Sequence, residues 1–277
     1  MKFDSWRRLK SVEKEFLKSL YKLSDMFVKI ARTYGNDQQR YQEVMKEFQE
    51  SEQYERYINS VVKRMITPLD ASNQKTWREA AKKATKGTYL YRVLMDELRQ
   101  GSFRIIQNQM IENVSLIKTL PEDVSEKVVH DIAEASLKGM RAESIEKLII
   151  NRTREHSRAS ARLIARTETA KTQSALTKAR CEQLDLHWYV WRTALDGNRV
   201  RKSHRLMEGV IVNWNNPPSP EELADEKSVG NYHAGNIWNC RCYSEPLLEI
   251  DDVKWPHKVY LNGQIRMMGK REFEQIM

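Results

Sequence analysis

No stretch of these 277 residues approaches the roughly 18 to 20 consecutive apolar residues that a membrane helix needs. The opening MKFDSWRRLKSVEKEF carries charges where a signal peptide would have its apolar centre. The sequence thus predicts no membrane contact and synthesis in a cytoplasm. Cysteine is scarce: three thiols, an odd number, cannot make a disulfide framework, which fits a reducing compartment and leaves Cys181 as a buried apolar thiol. No internal repeat or low-complexity linker is visible. With 40% hydrophobic and 31% charged residues, what remains is an ordinary globular composition, enough for one large or two modest domains.

From Asp4 to about Arg180, Lys, Glu, Gln, Leu and Met dominate and Gly and Pro are rare, which predicts six or seven helices. Breaks are expected at Tyr34-Gly35-Asn36-Asp37, Thr67-Pro68-Leu69-Asp70, Lys86-Gly87, Leu120-Pro121 and Lys138-Gly139. Phe16, Leu20, Leu23 and Phe27 recur at helical spacing within Trp6 to Ile30, which suits either core packing or a partner helix. Thr119-Leu120-Pro121-Glu122-Asp123 puts a proline and two acids where a helix begins, and that helix runs to Gly139.

After Arg180 the texture changes. His187, Tyr189 and Trp191 alternate with Trp188, Val190 and Arg192 as in a strand, and Asp196-Gly197-Asn198 supplies a turn in which Asp196 caps or pairs with Arg199 or Arg201. A short helix within Arg199 to Met207, a short strand at Val210-Ile211-Val212, and a hairpin across Asn262-Gly263 followed by a last helix complete the pattern. The expected fold is mainly α, a helical N-terminal region followed by a small α+β C-terminal domain with a Cys/His-containing loop. Its segments are 1–97, helical; 98–182, helical and ending in a basic helix; 183–250, the small α+β unit; and 251–277, an extension.

The net charge of +9 is local. Residues 147–205 hold 14 Lys and Arg against 5 Asp and Glu, an excess of nine that equals the whole chain's. Such a concentration attracts phosphate backbones or an acidic protein face, unless it is a solvated helix face. Arg154, Arg158, Arg162 and Arg166 recur every four residues and repel one another, so a counter-charge is implied. With Arg199 and Arg201 they are the candidate contacts for nucleic acid or an acidic partner. On the same helix Ala161, Ile164, Ala165, Glu168, Thr172, Ala175, Leu176 and Ala179 form one stripe. Glu168 therefore sits amid apolar neighbours and needs an Arg or backbone N–H partner, which makes it a structural residue before a catalytic acid.

His204, His233, Cys240 and Cys242 are the residues here that can make a standard metal site. If Cys240-Arg241-Cys242 is a strand, both sulfurs share a face, and two imidazoles complete a tetrahedron for structural zinc. Two buried thiols and two polar histidines without any ion are the alternative, and a disulfide across one residue is strained. A zinc deaminase would need His-x-Glu and Cys-x-x-Cys, whereas Arg205 and Leu206 follow His204. A metal hydrolase through Asp196, His204 and His233 lacks an assignable general base. Trp191 and the other aromatics of this unit, Trp188, Trp214, Tyr232 and Trp238, read as core rather than as base-stacking platforms.

The order ARLIARTETAKTQSA (161–175), WYVWRTALDGNRVRKSHRLMEG (188–209) and NCRC (239–242) resembles the phage Mu F-like head morphogenesis proteins, a family of minor capsid proteins. The likeness spans roughly 100 to 246 and covers the 183–250 unit; residues 1–97 add no motif. It implies a virion protein of the phage head interior, made in the host bacterial cytoplasm. The implied partners are the portal and the major capsid or scaffolding protein, with double-stranded DNA as a further contact in some members. A non-enzymatic role follows from the resemblance, against the alternative of a zinc-dependent hydrolase or DNA-processing enzyme carried in the head.

Overall fold

The computed structural model describes residues 6–7, 9–84, 89, 92, 102–138, 140, 142–195 and 200–277. They form two compact units, each assembled from separated stretches: residues 10–67 with 107–165, and residues 1–9 with 68–106 and 166–277.

The first unit is helical. α1 (Lys10–Tyr34) buries Phe16, Leu20, Leu23 and Phe27, the stripe that the spacing predicts. Gly35 ends it, since a Cβ there would lie 2.3 Å from the Ala31 carbonyl oxygen. α2 (Gln38–Glu50) starts where the Asp37 carboxylate accepts from the Arg40 amide at 3.0 Å. α3 (Glu52–Lys83), α4 (Ser102–Lys118), α5 (Leu120–Leu137) and α6 (Ala142–Gln183) follow. Polar pairs are set into the apolar packing: Ser24 with Ser157 at 2.6 Å, Tyr41 with Thr153 at 2.9 Å, and the Tyr54 hydroxyl on the Ile117 carbonyl at 2.6 Å.

One expected break does not occur. α3 runs through Pro68, although proline removes a helix hydrogen bond. Leu69 and Asp70 just beyond it are buried, and Asp70 is held by Arg180, so packing after the proline outweighs the lost bond. The divisions between the units at 67/68, 106/107 and 165/166 fall inside α3, α4 and α6.

The second unit contains the ends of α3 and α6 and a five-stranded sheet. β1 (Trp188–Arg192) lies inside the sheet, antiparallel to β2 (Ile211–Asn213) on one side and to the edge strand β3 (Tyr243–Pro246) on the other. β2 pairs in parallel with β4 (His257–Leu261), and β4 forms a hairpin with β5 (Gln264–Met268). Asn262 and Gly263 turn that hairpin at φ of 51° and 80°, the left-handed pair such a tight turn needs. α7 (Lys202–Leu206), α8 (Pro220–Leu223) and α9 (Lys270–Glu274) complete the unit.

β1 is buried on both faces rather than half-exposed. Tyr189 and Trp191 join Met207, Val212, Trp214 and Tyr260, while Trp188 and Val190 join Ile211, Leu247, Val259 and Phe273. The alternation in the sequence therefore separates two cores. At the same unit's helical end, Arg180 donates to Asp70 at 2.6 Å and to Asn73, whose amide reaches the Thr177 hydroxyl at 2.9 Å. Trp6 meets Trp77 edge-on with ring centroids 4.9 Å apart.

Candidate functional site

His204 on α7, and Cys240 and Cys242 just ahead of β3, converge in the second unit. The two cysteines are not in a strand, because β3 begins at Tyr243. The backbone nevertheless folds tightly enough there for the Cys242 amide to lie 3.4 Å from the Cys240 sulfur. His204 Nδ1 is 3.6 Å from Cys240 Sγ and 3.4 Å from Cys242 Sγ. The Cys240 thiol is pulled well below its ordinary range, first by the hydrogen bond from Cys242 and then by His204; Cys242, as the partner keeping the proton, is pushed well above it. Cys181 lies apart from this site, free and fully buried, and burial drives its thiol up.

His233 is placed elsewhere. Its Nδ1 faces the Tyr189 hydroxyl at 3.2 Å and its ring sits 4.9 Å from that of Trp214. Burial, reinforced by the charge of Lys178, lowers its pKa to about 4, so it is a neutral core histidine at pH 7. The structure thus brings together three of the four metal candidates.

Two residues that the sequence did not single out for this site stand behind His204. The Tyr232 hydroxyl is 2.9 Å from His204 Nε2 and donates to both Glu221 oxygens, at 2.7 and 2.8 Å. Glu221 lies in the first turn of α8, next to Pro220, where an acid reads as an ordinary helix-start residue; no spacing rule links it to a histidine 17 positions earlier. Beyond it, Arg201 lies 3.9 Å from Glu221, donates to the Trp238 carbonyl at 3.0 Å and covers the ring of the half-exposed Trp238. Trp191 is fully buried, its ring 5.8 Å from that of His204.

The Arg-Thr-Glu segment of α6 positions the cysteine loop. Arg166 donates to the Asn239 side chain at 2.6 Å, and Thr167 Oγ1 accepts from the Asn239 amide at 2.9 Å. Asn239 is held at φ 57°, the left-handed turn that sends the chain into Cys240. Glu168 is buried and forms an ion pair with Lys171, one turn on, at 3.3 Å. Part of the counter-charge implied for the arginine row is internal: Arg158 pairs with Asp25 at 3.1 Å and covers the Tyr21 ring, and Arg162 reaches the Tyr21 hydroxyl at 3.5 Å. Arg154 is half-buried. Asp196 and Arg199 lie outside the described residues.

No helix among the described residues is long and apolar enough to cross a membrane. No solved structure matches the chain. An uncharacterized protein of Haemophilus influenzae (strain Rd) is 32% identical over 142 residues, which is 50% of this chain and 29% of that protein. The chain thus spans less than a third of that relative. Minor head protein GP7 of Bacillus phage SPP1 is 25% identical over 248 residues, covering 84% of this chain and 80% of that protein. Residues 126–245 match the family described as Phage Mu protein F like protein, an interval that holds the arginine row, Glu168, Trp191, His204, His233 and both clustered cysteines. The likeness read from the Arg-Thr-Glu helix and the Cys-Arg-Cys segment therefore holds, and across residues 126–245 the chain carries a phage Mu protein F-like region.

Proposed function

We propose that this chain is a minor component of a phage head that takes part in head morphogenesis by binding protein, at the portal and inner capsid surface, without catalytic turnover. The observation that carries this reading is the alignment with minor head protein GP7 over most of both chains. In this reading the chain is made in the host cytoplasm, enters the forming head alongside capsid or scaffolding protein, and remains in the head interior. A zinc ion held by the Cys/His cluster belongs to it as a brace of the second unit.

The alternative of a zinc hydrolase fits the site poorly, because His204, Cys240 and Cys242 are 2%, 2% and 5% exposed and a substrate would have no approach. Contact with packaged DNA is supported by the local charge excess, but Arg158, Arg162 and Arg166 each already touch a protein group. Protein is therefore the favoured partner of this face. Heads assembled in cells with the wild-type chain or with Arg162→Glu decide between the two. We expect the charge-reversed chain to be lost from heads and from portal pull-downs, with DNA filling of the remaining heads unaltered. Normal incorporation with lost, salt-dependent retention on DNA would replace the protein reading with the DNA one. A wild-type chain absent from purified heads would overturn both.

A further inference from the structure

His204, Cys240 and Cys242 offer one donor atom each, all within 4.8 Å of one another, and they are the group of this kind among the described residues. Two thiols hydrogen-bonded to a core histidine meet the same description, so metal analysis separates the two cases, while the distances and the tautomer show that the cluster fits an ion. In a tetrahedral zinc site with bonds of about 2.3 Å to sulfur and about 2.0–2.1 Å to nitrogen, a sulfur and a nitrogen ligand stand about 3.6 Å apart. The two sulfur-to-Nδ1 separations here are 3.6 and 3.4 Å.

The hydrogen bonds behind the ring point the same way. Tyr232 gives its hydroxyl proton to Glu221, so its oxygen offers a lone pair, and the His204 Nε2 at 2.9 Å must donate to it. In the neutral ring this leaves Nδ1 as the lone-pair nitrogen, and it is Nδ1 that faces both sulfurs. A histidine whose far nitrogen donates into a polar or carboxylate partner is the arrangement that fixes the tautomer of a metal-bound imidazole. Arg201, 3.9 Å from Glu221, offsets the carboxylate at the end of that chain. Both thiols are free and buried.

We propose that Cys240 Sγ, Cys242 Sγ and His204 Nδ1 bind one zinc ion, with Tyr232 and Glu221 orienting the imidazole and His233 outside the site. Two sulfurs and an imidazole are a donor set that selects zinc over harder divalent ions. With the ion bound both sulfurs are thiolates, the proton held between them having passed to solvent, and the two thiolates neutralise the dication, so a buried cluster carries no net charge. Among the described His, Cys, Asp and Glu side chains, three of the four tetrahedral positions are supplied. The assignment deepens the reading of the cluster as a brace and rests on that reading for the ion's role, not for its presence.

The test uses the full chain, purified reduced and without chelator. Mass-spectrometric metal analysis is expected to find about one zinc per chain. Cobalt(II) put in its place should give thiolate-to-metal charge-transfer absorption in the near ultraviolet and intense tetrahedral bands in the visible. X-ray absorption at the zinc edge should show two sulfur neighbours. Cys240→Ser and His204→Ala should lose the metal, while His233→Gln keeps it and Tyr232→Phe weakens it about 10–100-fold. The wild-type cobalt and absorption spectra decide the matter even where a variant fails to fold. Absence of stoichiometric zinc, or a cobalt spectrum without thiolate bands, overturns the site; if that chain still enters heads, the head reading survives. Zinc present but removable without lowering the melting temperature overturns the brace and leaves the site.

Discussion

All seven tryptophans and all three cysteines fall in the unit made of residues 1–9, 68–106 and 166–277; the unit made of residues 10–67 and 107–165 has none. The tryptophan-free unit is held by apolar stripes that repeat along helices, with single polar pairs such as Ser24–Ser157 set among them. The other is held by dissimilar groups meeting once: a buried guanidinium on Asp70, aromatic rings against imidazoles, and two thiols against a histidine. A repeating stripe spreads its energy over many similar contacts, whereas a core of unlike groups concentrates it in a few partnerships that no substitute satisfies. The difference is measurable, because tryptophan fluorescence reports one unit alone and far-ultraviolet circular dichroism reports both.

The largest effect should come from Arg180→Ala. Arg180 is 1% exposed, and its loss leaves Asp70 buried without its guanidinium partner. The expected cost is about 3–5 kcal/mol, seen as a lower urea midpoint in tryptophan fluorescence. The circular-dichroism curve should split, with the helical component of the other unit unmoved. A single shifted transition seen identically by both probes would break the comparison, because the units would then unfold as one cooperative body.

That division also explains what was legible in the sequence. The stripe Phe16, Leu20, Leu23 and Phe27, the start at Leu120-Pro121, the hairpin at Asn262-Gly263 and the strand at 188–192 depend on near neighbours, so spacing and turn chemistry expose them. Pro68 misled because the residues that carry the helix past it, Leu69 and Asp70, are held by tertiary packing that no local pattern records. At the site, His204 and the two cysteines were visible as rare residue types. His233 is the same type with a different environment, and Tyr232 and Glu221 enter only through contacts across 11 to 28 positions. The pairing of Arg166 and Thr167 with Asn239, more than 70 positions away, is likewise invisible to spacing, although the family likeness flagged both ends.

His233 sharpens the comparison through pH. Its folded-state pKa is lowered from 6.5 to about 4, chiefly by burial and then by Lys178. Below about 6.5 the unfolded chain takes a proton that the native ring refuses, so stability falls as pH drops from about 6.5 to about 4 and levels off below, a loss of at most about 3 kcal/mol. NMR should place the His233 midpoint near about 4. The acid slope should appear in the tryptophan-detected midpoint and flatten in His233→Gln. A ring titrating near 6.5 would mean that this core admits water, and the contrast with the helical unit would weaken.

The smallest effect belongs to the helical unit. Tyr41 is fully buried, its hydroxyl 2.9 Å from Thr153, and burial raises its pKa to about 12. In Tyr41→Phe the ring still fills its place among the stripes, and the Thr153 hydroxyl, lying on α6, can turn to a carbonyl of its own helix. The expected loss is therefore about 1 kcal/mol, the net worth of one neutral hydrogen bond, detected by circular dichroism with the tryptophan midpoint unchanged. A loss as large as that of Arg180→Ala would show that the polar pairs, and not the repeating stripes, hold this unit. The two units would then obey the same rule, a few irreplaceable partnerships within an apolar surround, and their difference in texture would be one of composition alone.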